Sequence, residues 1–170
     1  MTPHKNIVLI GFMGSGKTVI AKELAQRLNI PYVSSDALIE QKEGGSITDI
    51  FKDKGEAYFR NVEHEVVKSI SSRRGIVIDC GGGVVLNSEN LKLLKTHGIV
   101  FYLQASVDVI YQRIKNEGHR PLLKVPDPLR VIRELYTQRL PLYSQADVCI
   151  DANDASIEGP VVQILQRIQA

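Results

Sequence analysis

Residues Gly11 to Thr18 read Gly-Phe-Met-Gly-Ser-Gly-Lys-Thr, a match to G-x-x-x-x-G-K-[ST], which folds as a tight loop between a strand and a helix. Glycines at Gly11, Gly14 and Gly16 let the backbone approach an anion closely, with its N–H groups turned inward. Lys17 adds a positive charge and Thr18 a hydroxyl suited to Mg²⁺. The helix that starts here presents the positive end of its dipole to phosphate. The flanks agree: Asn6 to Ile10 is an apolar run of strand length, and Ile20, Leu24 and Leu28 recur at helical spacing beside Ala21 and Ala25. Together with Ser15 and Val19, the stretch reads as a nucleotide site.

A chain of 170 residues is the size of one domain and long enough to bury a core. Hydrophobic residues at 44% and charged residues at 24% exclude a largely disordered chain. A net charge of +2 is too small to argue for a nucleic-acid partner, so positive potential is expected to be local. No apolar run approaches the roughly 20 residues of a membrane span, and no signal segment precedes the first strand. The expectation is a cytoplasmic protein. Cys80 and Cys149 both fall in expected buried strands, with no disulfide between them. His4, His64, His97 and His119 lack metal-ligand spacing and read as surface or loop residues.

Further along, Pro31 to Ser34 reads as a second strand and Asp36 falls in the first turn of the helix after it. From position alone, Asp36 is either that helix's N-cap or a carboxylate placed where ligands of open α/β sheets bind. Ser46 with Asp49 resembles a capping box for a short helix ending near Gly55. From Glu56 to Ser72, Phe59, Val62, Val66 and Ile70 form an apolar stripe, with Arg60, Glu63, Glu65 and Lys68 off it. Arg60 alone reads as a solvated surface arginine. Gly75 to Cys80 is a buried-strand run carrying Asp79 near its end, either a carboxylate for the Mg²⁺ shell or a solvated turn residue. Gly81, Gly82 and Gly83 follow, either a close ligand approach or no more than a loop.

Ser88 to His97 predicts a helix, Gly98 to Leu103 a strand, and Ser106 to Lys115 a helix with Arg113 off its apolar face. Asn116 to Pro126 breaks every periodicity and reads as a lid carrying Arg120. Asp127-Pro128 starts a helix with Leu129, Ile132, Tyr136 and Leu140 on one stripe and Arg139 near its far end. Asp147 to Asp151 is the last strand, and a closing helix follows Ser156. The alternation predicts a three-layer α/β/α domain with about five parallel strands.

Taken together, Gly11 to Thr18, Ser-Asp-Ala-Leu-Ile-Glu at 35 to 40, Gly55 to Glu63, Gly81 to Gly83, Arg120 to Leu123 and Arg139 to Tyr143 make the chain resemble the shikimate kinases, P-loop enzymes of the nucleoside monophosphate kinase-like branch. The resemblance spans nearly the whole chain. It implies a P-loop kinase fold with a central five-stranded parallel sheet, substrate-binding helices at about 36–72 and a lid at about 116–126. The implied reaction passes the γ-phosphoryl of ATP to the 3-hydroxyl of shikimate, in aromatic amino-acid biosynthesis. Arg60 and Arg139 would then bind the shikimate carboxylate, and Asp36 would hold the ring hydroxyls and orient the attacking oxygen. Gly81 to Gly83 would line the substrate, Lys17 and Arg120 would neutralise phosphate charge, Arg113 would pack on adenine, and Thr18 would ligate Mg²⁺. A monomer is expected. One position departs from the family: where it usually has an Asp serving the hydrated Mg²⁺, this chain has Ser34. Asp79 would supply the missing charge. The rival readings are another small-molecule kinase, such as a gluconate kinase, and a nucleotide-binding regulatory protein.

Overall fold

The computed structural model describes residues 5–118 and 123–169. β1 (Asn6–Ile10) leads through the glycine-rich loop into α1 (Lys17–Leu28), followed by β2 (Tyr32–Ser34), α2 (Ser35–Glu43) and α3 (Ile47–Ser71). Then come β3 (Val77–Asp79), α4 (Ser88–His97), β4 (Gly98–Gln104), α5 (Val107–Ile114), α6 (Pro128–Tyr143), β5 (Val148–Asp151) and α7 (Glu158–Gln169). The strands form one parallel sheet in the order β2-β3-β1-β4-β5. This is the three-layer α/β/α architecture with a central five-stranded sheet that the alternation of elements predicts.

All five residues of β1 are buried, as its central place requires. Ile7 and Leu9 join a core with Ile20 and Leu24 of α1 and Val161 and Ile164 of α7. Val8 and Ile10 join the opposite core with Val67 of α3, Leu91 of α4, Ile110 of α5 and Ile132 of α6. Successive strand side chains point to opposite faces, so one five-residue strand supports both layers. Each fully buried aliphatic side chain contributes roughly 1.5–3 kcal/mol. Because β1 lies between β3 and β4, the loop that leaves it opens at the switch point of the sheet, where ligands of open α/β folds bind.

Local signals match. Ser46 accepts from the Asp49 N–H at 3.1 Å and donates to its carboxylate at 2.7 Å, the expected capping box. Gly55 (φ 83°, ψ 170°) breaks α3 where two helices were expected to meet. Asp127 caps α6 by accepting from the Arg130 N–H at 3.1 Å, with Pro128 at the first helical position.

Three sequence expectations are corrected. Cys149 is exposed, not buried, and donates to Gln104 Oε1 at 3.3 Å. It stands on β5, an edge strand in which Ile150 is the buried residue. Cys80 is buried but lies one residue past β3. His64 is a half-buried helix residue whose Nδ1 bonds Asn90 Oδ1 at 2.8 Å, Asn90 itself being wholly buried. Glu63, expected off the apolar stripe of α3, is wholly buried. It follows Phe59 by four residues and precedes Val67 by four, which puts it on the core-facing row.

Candidate active site

Steric demand at the phosphate loop explains its glycines. Gly11 and Gly14 have φ of 155° and 74°. A Cβ on Gly11 would lie 2.8 Å from Leu103 O, and one on Gly14 2.7 Å from Ile114 Cγ2. The loop is thus wedged between β4 and α5. Gly16 (φ 91°) precedes α1 without any side-chain cap, so the helix N-terminus keeps N–H donors for an anion. Lys17 is buried and donates to Gly11 O at 2.8 Å and Phe12 O at 3.0 Å. Thr18 donates to Asp79 Oδ2 at 2.7 Å, and Tyr32 donates to the same oxygen at 3.0 Å. The nearly buried Asp79 carboxylate is therefore fixed beside the loop. Val19, which follows the loop, is 57% exposed and also lines the cavity described below.

The start of α2 removes the N-cap reading of Asp36. Ser34, not Asp36, caps the helix, accepting from the Ala37 N–H at 3.2 Å. Asp36 is left in the first turn with its carboxylate against Gly81, where an added Cβ would overlap Asp36 Oδ1. Burial raises its carboxyl above the usual range, Lys17 opposes that rise, and Asp79 adds to it. Ser34 and Asp79 are also direct register partners across β2 and β3.

Arg60 is no freely solvated arginine. It donates to Glu63 Oε2 at 2.7 Å, and its guanidinium lies 5.0 Å from the Phe59 ring centroid and 5.9 Å from that of Phe51. A Cβ on Gly83 would overlap this guanidinium. Burial raises the Glu63 carboxyl while Arg60 opposes the rise. Its Oε1 has no hydrogen-bond partner among the described residues. An unshared buried charge is costly, so the pair holds Arg60 tightly in one place. Arg139 of α6 sits 5.7 Å from the Phe12 ring centroid, over the phosphate loop itself.

A cavity of about 900 Å³ joins these groups. Gly14, Gly16, Lys17, Thr18 and Asp79 line one end, and Asp36, Arg60, Gly81, Gly82, Gly83 and Arg139 the other. Arg113 lies outside this lining. It donates to Gly14 O at 3.3 Å, Ala152 O at 2.7 Å and Asp154 O at 2.8 Å, tying α5 to the loop after β5. Arg120 and the middle of the expected lid lie outside the described residues. Sequence reasoning missed Glu63, Tyr32 and Tyr143, whose hydroxyl donates to Gly82 O. Only the four-residue spacing from Phe59 could have flagged Glu63; Tyr32 and Tyr143 act across the fold.

Among the described residues no group of three or more His, Cys, Asp or Glu side chains is arranged to hold a metal ion. The oxygen donors that are present, the Thr18 hydroxyl and the Asp79 carboxylate, suit a hard cation that takes its other ligands from phosphate and water.

Comparison with known proteins bears on what this cavity serves. The family model described as "SKI: Shikimate kinase" matches residues 13–169. A curated shikimate kinase of Thermodesulfovibrio yellowstonii is 45% identical over 165 residues, covering 97% of this chain and 95% of the relative. The solved shikimate kinase from Acinetobacter baumannii in complex with shikimate is similar at TM-score 0.91 and 38% identity, over 97% of this chain and 93% of that one. A gluconokinase from Sinorhizobium meliloti, at TM-score 0.63 and 17% identity over 99% and 94% of the two chains, shares the fold alone.

Proposed function

This chain belongs to the shikimate kinase family, and from that premise we propose that it is a single domain passing the γ-phosphoryl of ATP to the 3-hydroxyl of shikimate inside the one cavity. It is an ATP-dependent transferase of aromatic amino-acid biosynthesis that phosphorylates shikimate. The gluconate kinase and regulatory-protein readings are not favoured: the relatives that are 38%, 42% and 45% identical over nearly the whole chain are shikimate kinases, whereas the gluconokinase is 17% identical.

The observation that carries the detailed reading is the joining of phosphate loop and acceptor groups in one cavity of about 900 Å³. Such transfer needs in-line positioning and charge neutralisation more than covalent help from the protein. Arg60, held by Glu63, and Arg139, held over Phe12, supply guanidinium forks for the shikimate carboxylate. Asp36 orients the attacking hydroxyl, and its raised carboxyl is better suited than an ordinary aspartate to take the proton. Lys17 exchanges its loop carbonyls for phosphate oxygens. Gly11, Gly14, Ser15, Gly16 and Val19 offer backbone to the nucleotide, and Arg113 borders the adenine. Arg120 and lid closure over 116–126 enter on resemblance, as the means of adding a cation and excluding water.

Thr18 and Asp79 would hold Mg²⁺, Asp79 through water. The cation, when bound, neutralises charge on the phosphates. A monomer and a cytoplasmic location complete the proposal. Among the described residues the exposed large apolar side chains, Val19, Tyr58, Leu86 and Val162, are dispersed over α1, α3, the turn before α4 and α7, and no described helix is long and apolar enough to cross a membrane.

A coupled ADP-release assay with ATP and Mg²⁺ tests the reading, with shikimate, gluconate and nucleoside monophosphates compared as acceptors. Shikimate alone should drive release. Release driven by gluconate, or indifferent to acceptor, would overturn it.

A further inference from the structure

Most polar groups of the turn after β3 have identifiable holders. The Cys80 N–H donates to Leu9 O at 3.1 Å and the Gly81 N–H to the buried Ser35 Oγ at 3.0 Å. Gly81 O and Gly83 O accept from the Val84 and Leu86 N–H groups at 3.1 and 3.0 Å. Gly82 O accepts from the Tyr143 hydroxyl, which reaches it from α6. Among the described residues, the N–H groups of Gly82 and Gly83 have no such partner, and both glycines line the cavity.

The peptide group is planar and trans, and no cis bond occurs among the described residues. The Gly82 carbonyl and the Gly83 N–H therefore point in opposite directions, so whatever grips the carbonyl also aims the N–H. Tyr143 is well placed to grip it. Its ring is fully buried and stacked on Tyr102, with centroids 5.1 Å apart and planes 12° apart. Its phenol, like any tyrosine's, is a donor at neutral pH; burial pushes it up further, to about 12, with Arg139 beside it opposing the rise. It also follows Arg139 by four residues on α6, one turn along the same face.

We propose that Tyr143 is a positioning residue for the acceptor: its hydroxyl pins the Gly82–Gly83 peptide so that the Gly83 N–H is presented to an oxygen of shikimate, while its stacked ring sets the rotation of α6 that carries Arg139. The inference rests on the reading of the triple glycine as substrate-lining.

Tyr143→Phe keeps the stack and removes the hydroxyl. Its shikimate KM should rise about fivefold to tenfold, the size of one lost neutral hydrogen bond, with the ATP KM unchanged. Tyr102→Phe, which loses only a 3.3 Å contact to the Tyr136 hydroxyl, should leave both constants as they are. An unchanged shikimate KM in Tyr143→Phe, or both KM values rising together with a fall in Tm, overturns the proposal.

NMR of ¹⁵N-glycine-labelled protein titrated with shikimate separates the two layers of argument. Wild-type signals of Gly82 and Gly83 that stay still refute the substrate-lining reading, and the proposal with it. Signals that shift at the same affinity in wild type and Tyr143→Phe refute the role of Tyr143 alone. Should the Phe variant not fold, 3-fluorotyrosine labelling, which makes the phenol a stronger donor, should move the Gly83 signal; an unmoved signal counts against the proposal.

Discussion

The two ends of the cavity are built in opposite ways. The phosphate end comes from one contiguous stretch, Gly11 to Thr18, plus Asp79, and its cation is held by carbonyls of the same loop. The acceptor end draws one or a few residues each from α2, α3, α6 and the turn after β3, and its cations are held by aromatic rings and a buried carboxylate. Local backbone geometry suffices to recognise phosphate, which many substrates share. Discriminating one acceptor needs groups whose positions only the whole fold can set.

Substitutions can test this division. Lys17→Met should lower kcat most, by about 10²–10³-fold, as expected for loss of a preorganised donor to developing charge, and ADP release should fall whichever acceptor is offered. Asp36→Asn should cost about 10²-fold in kcat. On the proposed role of Asp36, activity needs the deprotonated carboxyl, and burial raises its pKa. The acid limb of the wild-type pH–rate profile should thus lie above that of an ordinary aspartate and vanish in the variant. Arg60→Ala should leave kcat nearly intact and weaken shikimate by about 2–5 kcal/mol, since it also strands the buried Glu63. A matching rise in ATP KM would break the division between the two ends. Asp79→Asn should weaken Mn²⁺ binding to the enzyme–ADP complex, read by electron paramagnetic resonance, whereas Ser34→Asp should be mild. Cys149→Ser, on an exposed edge strand, should change neither kinetics nor Tm.

The same division governs what could be read from sequence. The phosphate loop, β1 and the caps of α3 and α6 were legible because each is set by residues near in the chain. Asp36 was legible in place, but that Ser34 and not Asp36 caps α2 was not. Arg60 alone resembled a surface arginine because its holders Glu63, Phe59 and Phe51 gain meaning only when α3 packs. Glu63 was misplaced for a related reason: a carboxylate on a core row looks like an error until its partner is known. What a Cβ at Gly81 or Gly83 would displace, the carboxylate of Asp36 and the guanidinium of Arg60, lies more than twenty positions away in the chain. Cys149 was misjudged because apolar patterning does not tell an edge strand from a central one.

The register that sets Ser34 opposite Asp79 gives the sheet one carboxylate position with two addresses. A negative charge at either strand end reaches the same corner of the cavity, and an aspartate at 34 could still cap α2, since Asp is as good an N-cap as Ser. On the proposed role of Asp79 beside Mg²⁺, substitution at these two positions should be coupled. Losing the charge at 79 should be harmful by itself and tolerated when 34 already carries it, so that sequences can exchange one arrangement for the other through a doubly charged intermediate without passing through an uncharged one.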